Sequence, residues 1–379
     1  MRPLEGMRVL DLSRVYAAPA GSMILADLGA EVIRVEHPQG SDSMREWGPF
    51  INDQSTYYLC ANRNKKSIIL NLKDEGDKEI FLELVKEADV VLENFKTGDM
   101  ARMGLGYEEL KKVNPGIIHC AVTGFGQSGP LAFEPGFDPV VQAMSGLMDV
   151  TGDPAGEATK VGIPIADILT SHYVVIGILA ALRMRDVTNE GQFIDLSLLD
   201  VQISSMANVS SAYLNAGFES KRLGNQHNNV APYQVFPCAD GPLMFCVGTD
   251  AQFVKFCDMM KHPEWADDPR FKTNSARKQH EAQLVEMINA VTVTKTRDEW
   301  IQLLQTATIP GGRVNTVAEA LEQPQVKARN LIGEMEHPVY GKVRFVKNPL
   351  QHSGLNIAYD QAPPLLGEHT EEVMKFTKS

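Results

Sequence analysis

Short β-branched runs alternate with amphipathic helical stretches through the first half of this chain, and that alternation limits its fold more than any other feature. RVLDLS, EVIRVE, SIILNL, DVVLENF and GIIHCAVTGFG read as strands. Between them GSMILADLGA (ending at Gly29), DEGDKEIFLELVKEA and YEELKKVNP carry helical periodicity. Strands alternating with helices imply a parallel sheet with helices on its faces. Residues 165–185 add a helix, and GQFIDLSLL adds a strand.

Near residue 200 the pattern changes. VQISSMANVSSAYLNAGF is helical and weakly polar and reads as a connector; RLGNQHNNVAPYQVF is rich in loop formers. VFPCADGPLMFCVG reads as a hairpin turning at Asp240-Gly241, and EMEHPVYGKVRFV as a second around Tyr340-Gly341. Helical patterns fall at about 250–260, 276–291 and 297–307. The expected organisation is a large Rossmann-like α/β domain at 1–200 with 325–379, a linker at 201–222, and a smaller α+β domain at 223–320. A length of 379 residues fits two domains.

Composition removes several function classes. A formal net charge of −12 argues against nucleic acid or an anionic membrane as partner. The five cysteines are odd in number and form no CxxC pair, so a disulfide framework and a metal site are not expected, and a reducing cytoplasm is. MRPLEGMRVLDLS lacks the apolar core of a signal peptide. The longest apolar stretch, PIADILTSHYVVIGILAAL from Pro164 to Leu182, is interrupted by Asp167, Ser171 and His172. It reads as a helix buried on most sides, not as a membrane span.

The opening RVLDLSRVYAAPAGSMILADLGAEVIRVE has the strand–turn–helix–strand form of a dinucleotide site, and Glu36 ends the second strand where a ribose-binding acid would stand. The turn argues otherwise. SRVYAAPAGS contains no G-x-G-x-x-G, and Tyr16 and Pro19 stand where close phosphate approach needs glycine. Nicotinamide chemistry is therefore a weak alternative.

Seven stretches follow one another along the chain: LEGMRVLDLSRVYAAPAGSMILADLGAEVIRVEHP, YYLCANRNKKSIILNLK, ADVVLENFKTGDMARMGLGYEEL, GFGQSGPLAFEPGFDPVVQAMSGLM, VGIPIADILTSHYVVIGILAALRMR, IPGGRVNTVAEALEQPQV and APPLLGEHTEEVM. Together and in this order they resemble family III CoA-transferases, a family that also includes the α-methylacyl-CoA racemases. The resemblance implies a Rossmann-like large domain and a small domain joined by long linkers, in homodimers whose two chains interlock.

Read alone, Asp167 is a helix N-cap. The resemblance assigns it a second role, because the family's nucleophilic aspartate falls on this position. An ionised carboxylate can attack a thioester, form a mixed anhydride and then carry coenzyme A as an aspartyl thioester. On this reading the helix N-terminus keeps Asp167 ionised and apolar surroundings exclude water. Neither metal nor ATP is required, since one thioester is exchanged for another.

The resemblance also implies a coenzyme A pocket. Leu70, Asn71 and Lys73 in LNLK, Asn94 and Phe95 in ENF, and Arg102 in ARMG match family positions. Lys73 and Arg102 would meet phosphates, and Phe95 would lie against adenine. Tyr16 and Ala17 in the first loop, His37 after the second strand, and Phe137 complete the set. Tyr16 and His37 depart from formyl-CoA transferases, which carry glutamine and arginine there, and that enzyme's small-domain glycine tetrad is missing. These departures weaken any assignment to formyl-CoA or oxalate. The basic run NRNKKS (62–67) reads as a solvated loop with a supporting electrostatic role.

Racemases need an acid/base pair astride the α-carbon. Their histidine matches Phe137, which carries no exchangeable proton, so CoA transfer is preferred over racemisation. His172 is expected to pack within the helix bundle. Tyr57, Tyr58 and Tyr233 are pocket liners or core. REWGPFINDQSTYYLCANRNKKSI resembles the branch acting on dicarboxylates, and a succinyl-CoA donor with a small carboxylic acid acceptor ranks first. A non-catalytic acyl-CoA-binding protein remains a third reading.

Overall fold

Six parallel strands form the central sheet in the computed structural model, which describes residues 2–40, 42–351, 353–354 and 357–376. They are β1 (Arg8–Asp11), β2 (Glu31–Glu36), β3 (Lys65–Ile69), β4 (Val90–Glu93), β5 (Ile118–Thr123) and β6 (Phe193–Ser197). Their spatial order is β3-β2-β1-β4-β5-β6, and every neighbouring pair is parallel. The chain grows outward from β1 in one direction, then restarts at β4 in the other. The gap above β1 and β4 is the topological switch point, where open α/β sheets take their ligands.

Both sheet faces are covered. α1 (Ala17–Asp27) and the long helix α6 (Ile165–Thr188) share one core with Val9, Leu92 and Val122. α2 (Glu75–Lys86) and α4 (Tyr107–Val113) close the other face over Leu10, Ile33 and Val91. α1 and α6 meet closely at Gly21. A Cβ built there would fall 2.8 Å from Val174 Cγ1, so only glycine permits this approach.

α6 is long and apolar enough to cross a membrane by length and composition. The expectation that it is buried on most sides is corrected. Val174 and Ile178 are buried, but Tyr173, Ile176, Leu179, Met184 and Val187 stand exposed in the single chain. The polar interruptions do not mark the exposed face, so the sequence could not tell one buried side from all-round burial.

The chain divides into two units, Met1–Met148 with Lys160–Ser220 and Ala328–Ser379, and Asp149–Thr159 with Lys221–Lys327. Residues 149–159, assigned to the large domain by the sequence reading, join the smaller unit. The expected linker 201–222 is mostly helical, in α7 (Leu198–Ser204) and α8 (Ala207–Ala216). The smaller unit holds an antiparallel sheet of β7 (Tyr233–Cys238), β8 (Gly241–Cys246) and β9 (Gly311–Arg313) over a core of Phe236, Phe245, Phe256, Trp265 and Trp300. Its hairpin turns one residue earlier than expected, because Gly241 already pairs with Cys238. The second hairpin, β10 (Ile332–His337) with β11 (Gly341–Val346), belongs to the large unit.

Candidate active site

Asp167 does not cap its helix. Pro164 is the N-cap of α6, and Asp167 lies in the first turn. The capping carboxylate comes from elsewhere. Asp138, first residue of α5 (Asp138–Met144), accepts the Ala166 N–H on Oδ1 at 2.8 Å. Its Oδ2 accepts Gln142 Nε2–H at 2.7 Å, and Gln142 Oε1 accepts the Val161 N–H at 2.9 Å. The loop ahead of α5 is held by a backbone crossing at which a Cβ on Gly136 would lie 2.4 Å from Gly124 Cα.

This leaves the Asp167 carboxylate, half-buried, with no hydrogen bond or ion pair among the described residues. Burial, and second the negative charge of Asp138, push it up to about 7. The expectation that the helix N-terminus holds it ionised is thus corrected. A dry surround and a like charge outweigh the helix field. A basic carboxylate is also the better nucleophile, and this one stays substantially ionised near neutrality.

Tyr16 and Tyr57 stand over the same site. Tyr16 is the N-cap of α1, and buried Ala17 is its first residue. The two tyrosine rings meet edge-on at 6.2 Å, and Trp47 meets Tyr57 edge-on at 5.4 Å. Burial first, then negative groups that include Asp167, push Tyr16 up to about 12 and Tyr57 up as well. Both keep their protons and can donate O–H. Cys60, whose Sγ–H donates to Tyr57 O at 3.0 Å, is pushed up to about 11 by burial and is no thiolate. The sequence reading missed Asp138, Trp47 and Cys60. The Asp-Pro pair at a helix start was the one available signal for Asp138.

Buried charges hold the loop carrying Tyr16. Val15 has φ of 62°, rare for a β-branched residue, and its N–H donates to Asp42 Oδ1 at 3.1 Å. Arg34 pairs with Asp42 and donates to Ser13 O at 3.1 Å. Lys65, fully buried, reaches Asp11 at 3.1 Å, and burial lowers it to about 8. The run 62–67 is therefore corrected: Asn62, Arg63, Lys65 and Ser67 are buried network members, with Arg63 on Asp27 at 2.5 Å. Glu36 is spent on Arg34, Arg45 and Ser67, which leaves no acid for a ribose.

The other expected positions divide. Asn94, expected as a CoA contact, clamps the first loop: it accepts the Arg14 N–H at 2.9 Å and donates to Arg14 O at 2.8 Å. The Arg14 guanidinium covers the Phe95 ring at 5.0 Å, so that face is closed to adenine. Arg102 is exposed and paired with Asp99 in the short helix α3 (Asp99–Arg102). Lys73 is exposed; Asn71 Oδ1 accepts its N–H at 3.2 Å. Leu70 is buried just past β3 and donates its N–H to Glu36 O at 2.9 Å. His37 Nδ1 accepts the Gln39 N–H at 3.2 Å. Phe137 is the exposed N-cap of α5. His172 is exposed in the single chain, which corrects its expected packing. Tyr58 is core, with Arg45 donating to its hydroxyl at 2.6 Å; Tyr233 lies in β7 of the smaller unit. Among the described residues no group of His, Cys, Asp and Glu is placed to hold a metal.

The profile of CoA-transferase family III matches residues 4–370. The chain belongs to that family. It is 40% identical over 99% of its length to the succinyl-CoA:glutarate CoA-transferase of Mus musculus, of which it covers 86%. It is 41% identical to the succinate–glutarate CoA-transferase of Agrobacterium fabrum, with 98% of this chain and 95% of that one aligned. A CAIB/BAIF family protein from Brucella suis has the same fold, with a TM-score of 0.90 and 39% identity over 99% of both chains. As a CoA-transferase, this family III protein is an enzyme that moves coenzyme A between an acyl-CoA and an acid.

Proposed function

We propose that this CoA-transferase takes coenzyme A from succinyl-CoA, or a similar donor, and delivers it to a small dicarboxylic acid, with Asp167 as nucleophile. The carrying observation is the Asp167 carboxylate, half-buried, unpartnered and pushed up to about 7 beside two protonated tyrosines. The donor and acceptor are supported by likeness to relatives that use succinyl-CoA and glutarate.

An Asp167 oxygen attacks the thioester carbonyl and expels CoA thiolate, leaving an aspartyl–acyl anhydride. The thiolate attacks the aspartyl carbonyl, so the donor acid leaves and an aspartyl-CoA thioester remains. The acceptor carboxylate attacks that carbonyl and expels the thiolate again. Thiolate attack on the acceptor's acyl carbon forms the new acyl-CoA and frees Asp167. No proton is gained or lost in the cycle. Tyr16 and Tyr57 are the donors available for the oxyanions. Lys73 and Arg102 meet CoA phosphates, Arg102 leaving Asp99 to do so. Leu70 and Asn71 shape the same pocket, with His37 and Phe137 at its margins.

The exposed apolar residues of α6, with Ile203, Tyr213, Leu214 and Phe218 on and after α7 and α8, support the interlocked homodimer. The free cysteines support a cytoplasmic setting.

Succinyl-CoA and other acyl-CoA donors, set against a panel of free acids and read by mass spectrometry, test the reading. Transfer from succinyl-CoA to dicarboxylates is expected, and its loss in Asp167→Ala and Asp167→Asn. Exchange of an α-proton with deuterium oxide, without transfer, would make the protein a racemase instead.

A further inference from the structure

We infer that Arg14 is the plane on which the adenine base of coenzyme A stacks. The inference rests on the CoA-transferase reading and concerns the nucleotide end of the same site. β1 and β4 are the neighbours between which the strand order reverses, and the crevice beyond their carboxyl ends is the ligand position of an open α/β sheet. Arg14 follows β1, and Phe95 follows β4. The guanidinium lies over the Phe95 ring, 5.0 Å from its centroid.

The Arg14 backbone is held from both directions by the Asn94 amide, at 2.9 and 2.8 Å. Its side chain is exposed and makes no hydrogen bond or ion pair among the described residues. Arg102, by contrast, already has Asp99. A guanidinium is a plane with two faces. Its centre lies over the Phe95 ring, and the exposed side chain leaves guanidinium surface for a second flat group. Adenine suits that surface, because a guanidinium stacks on planar π-systems and its charge serves the adjoining phosphates. Phe95 sets the tilt of the plane without touching the base.

Titration calorimetry of the full-length protein tests this, with wild type, Arg14→Ala and Arg14→Lys against CoA, dephospho-CoA and phosphopantetheine. Asn94 grips only the backbone of residue 14, so the loop survives both substitutions and Tm is expected to match wild type. Arg14→Ala is expected to weaken CoA and dephospho-CoA about tenfold, the scale of one stacked base, and to leave phosphopantetheine unchanged. Arg14→Lys, which keeps the charge but has no plane, is expected to restore little of it. Equal CoA affinity in wild type and Arg14→Ala would overturn the inference, as would an equal loss with phosphopantetheine. A loss with CoA alone would place Arg14 on the extra phosphate and overturn the stacking assignment. Wild-type protein that binds none of the three would instead overturn the CoA-transferase reading on which the inference stands.

Discussion

Asp138 caps the helix on which Asp167 stands: its Oδ1 accepts the Ala166 N–H at 2.8 Å, while its charge disfavours ionisation of the neighbouring Asp167 carboxylate. One acid thus fixes the helix start and, second to burial, raises the basicity of the other. With Asp167 at about 7, kcat/KM for an acyl-CoA should fall as pH drops below that value. Asp138→Asn keeps an oxygen for the cap but removes the like charge. Its pH–rate inflection should move to lower pH. An unchanged or raised inflection would separate Asp138 from the nucleophile's titration.

The raised Asp167 also bears on stability. Its folded value of about 7 lies above the 3.8 of an unperturbed aspartate. The folded state therefore binds this proton more tightly. The stabilising contribution is fully present below about 4 and is lost as pH rises through about 7. Asp167→Asn removes that late loss. Thermal melts should show the variant several degrees above wild type at pH 8, with the gap closing toward pH 4. A variant less stable than wild type at pH 8 would show that the carboxylate has a native partner.

Gly21 sets the separation between the helix that follows Tyr16 and the helix that carries Asp167. A methyl group at that position meets Val174 at under 3 Å. Gly21→Ala should cost about 1–3 kcal/mol by overpacking and lower kcat more than it raises KM, because two active-site helices are moved apart. The double variant with Val174→Ala should recover both. Full activity in Gly21→Ala would mean that the helix spacing is not critical.

Much of this arrangement was legible in the sequence. EVIRVE is a strand from its first residue to its last, and six short runs became six parallel strands, because short β-branched runs between helical stretches mark the strands of a sheet covered on both faces. Asp167 stood out as a lone acid in an apolar run. What stayed hidden were contacts between distant positions. The acceptance of Ala166 N–H by Asp138 spans 28 residues, and that of Arg14 N–H by Asn94 spans 80. Charge patterning also misled at residues 62–67. A run of basic side chains looks solvated until its buried partners, Asp11 and Asp27, are placed beside it.

Heavy oxygen in the acceptor carboxylate gives the most direct test of Asp167 as the covalent carrier. When the acceptor attacks the aspartyl thioester, one of its oxygens bridges the anhydride, and cleavage on the acceptor side leaves that oxygen on the enzyme. After turnover with succinyl-CoA and a labelled dicarboxylate, mass spectrometry of the peptide containing Asp167 should show heavy oxygen in its carboxylate, and the released succinate should become labelled over successive turnovers. Efficient CoA transfer with an unlabelled Asp167 would contradict the account.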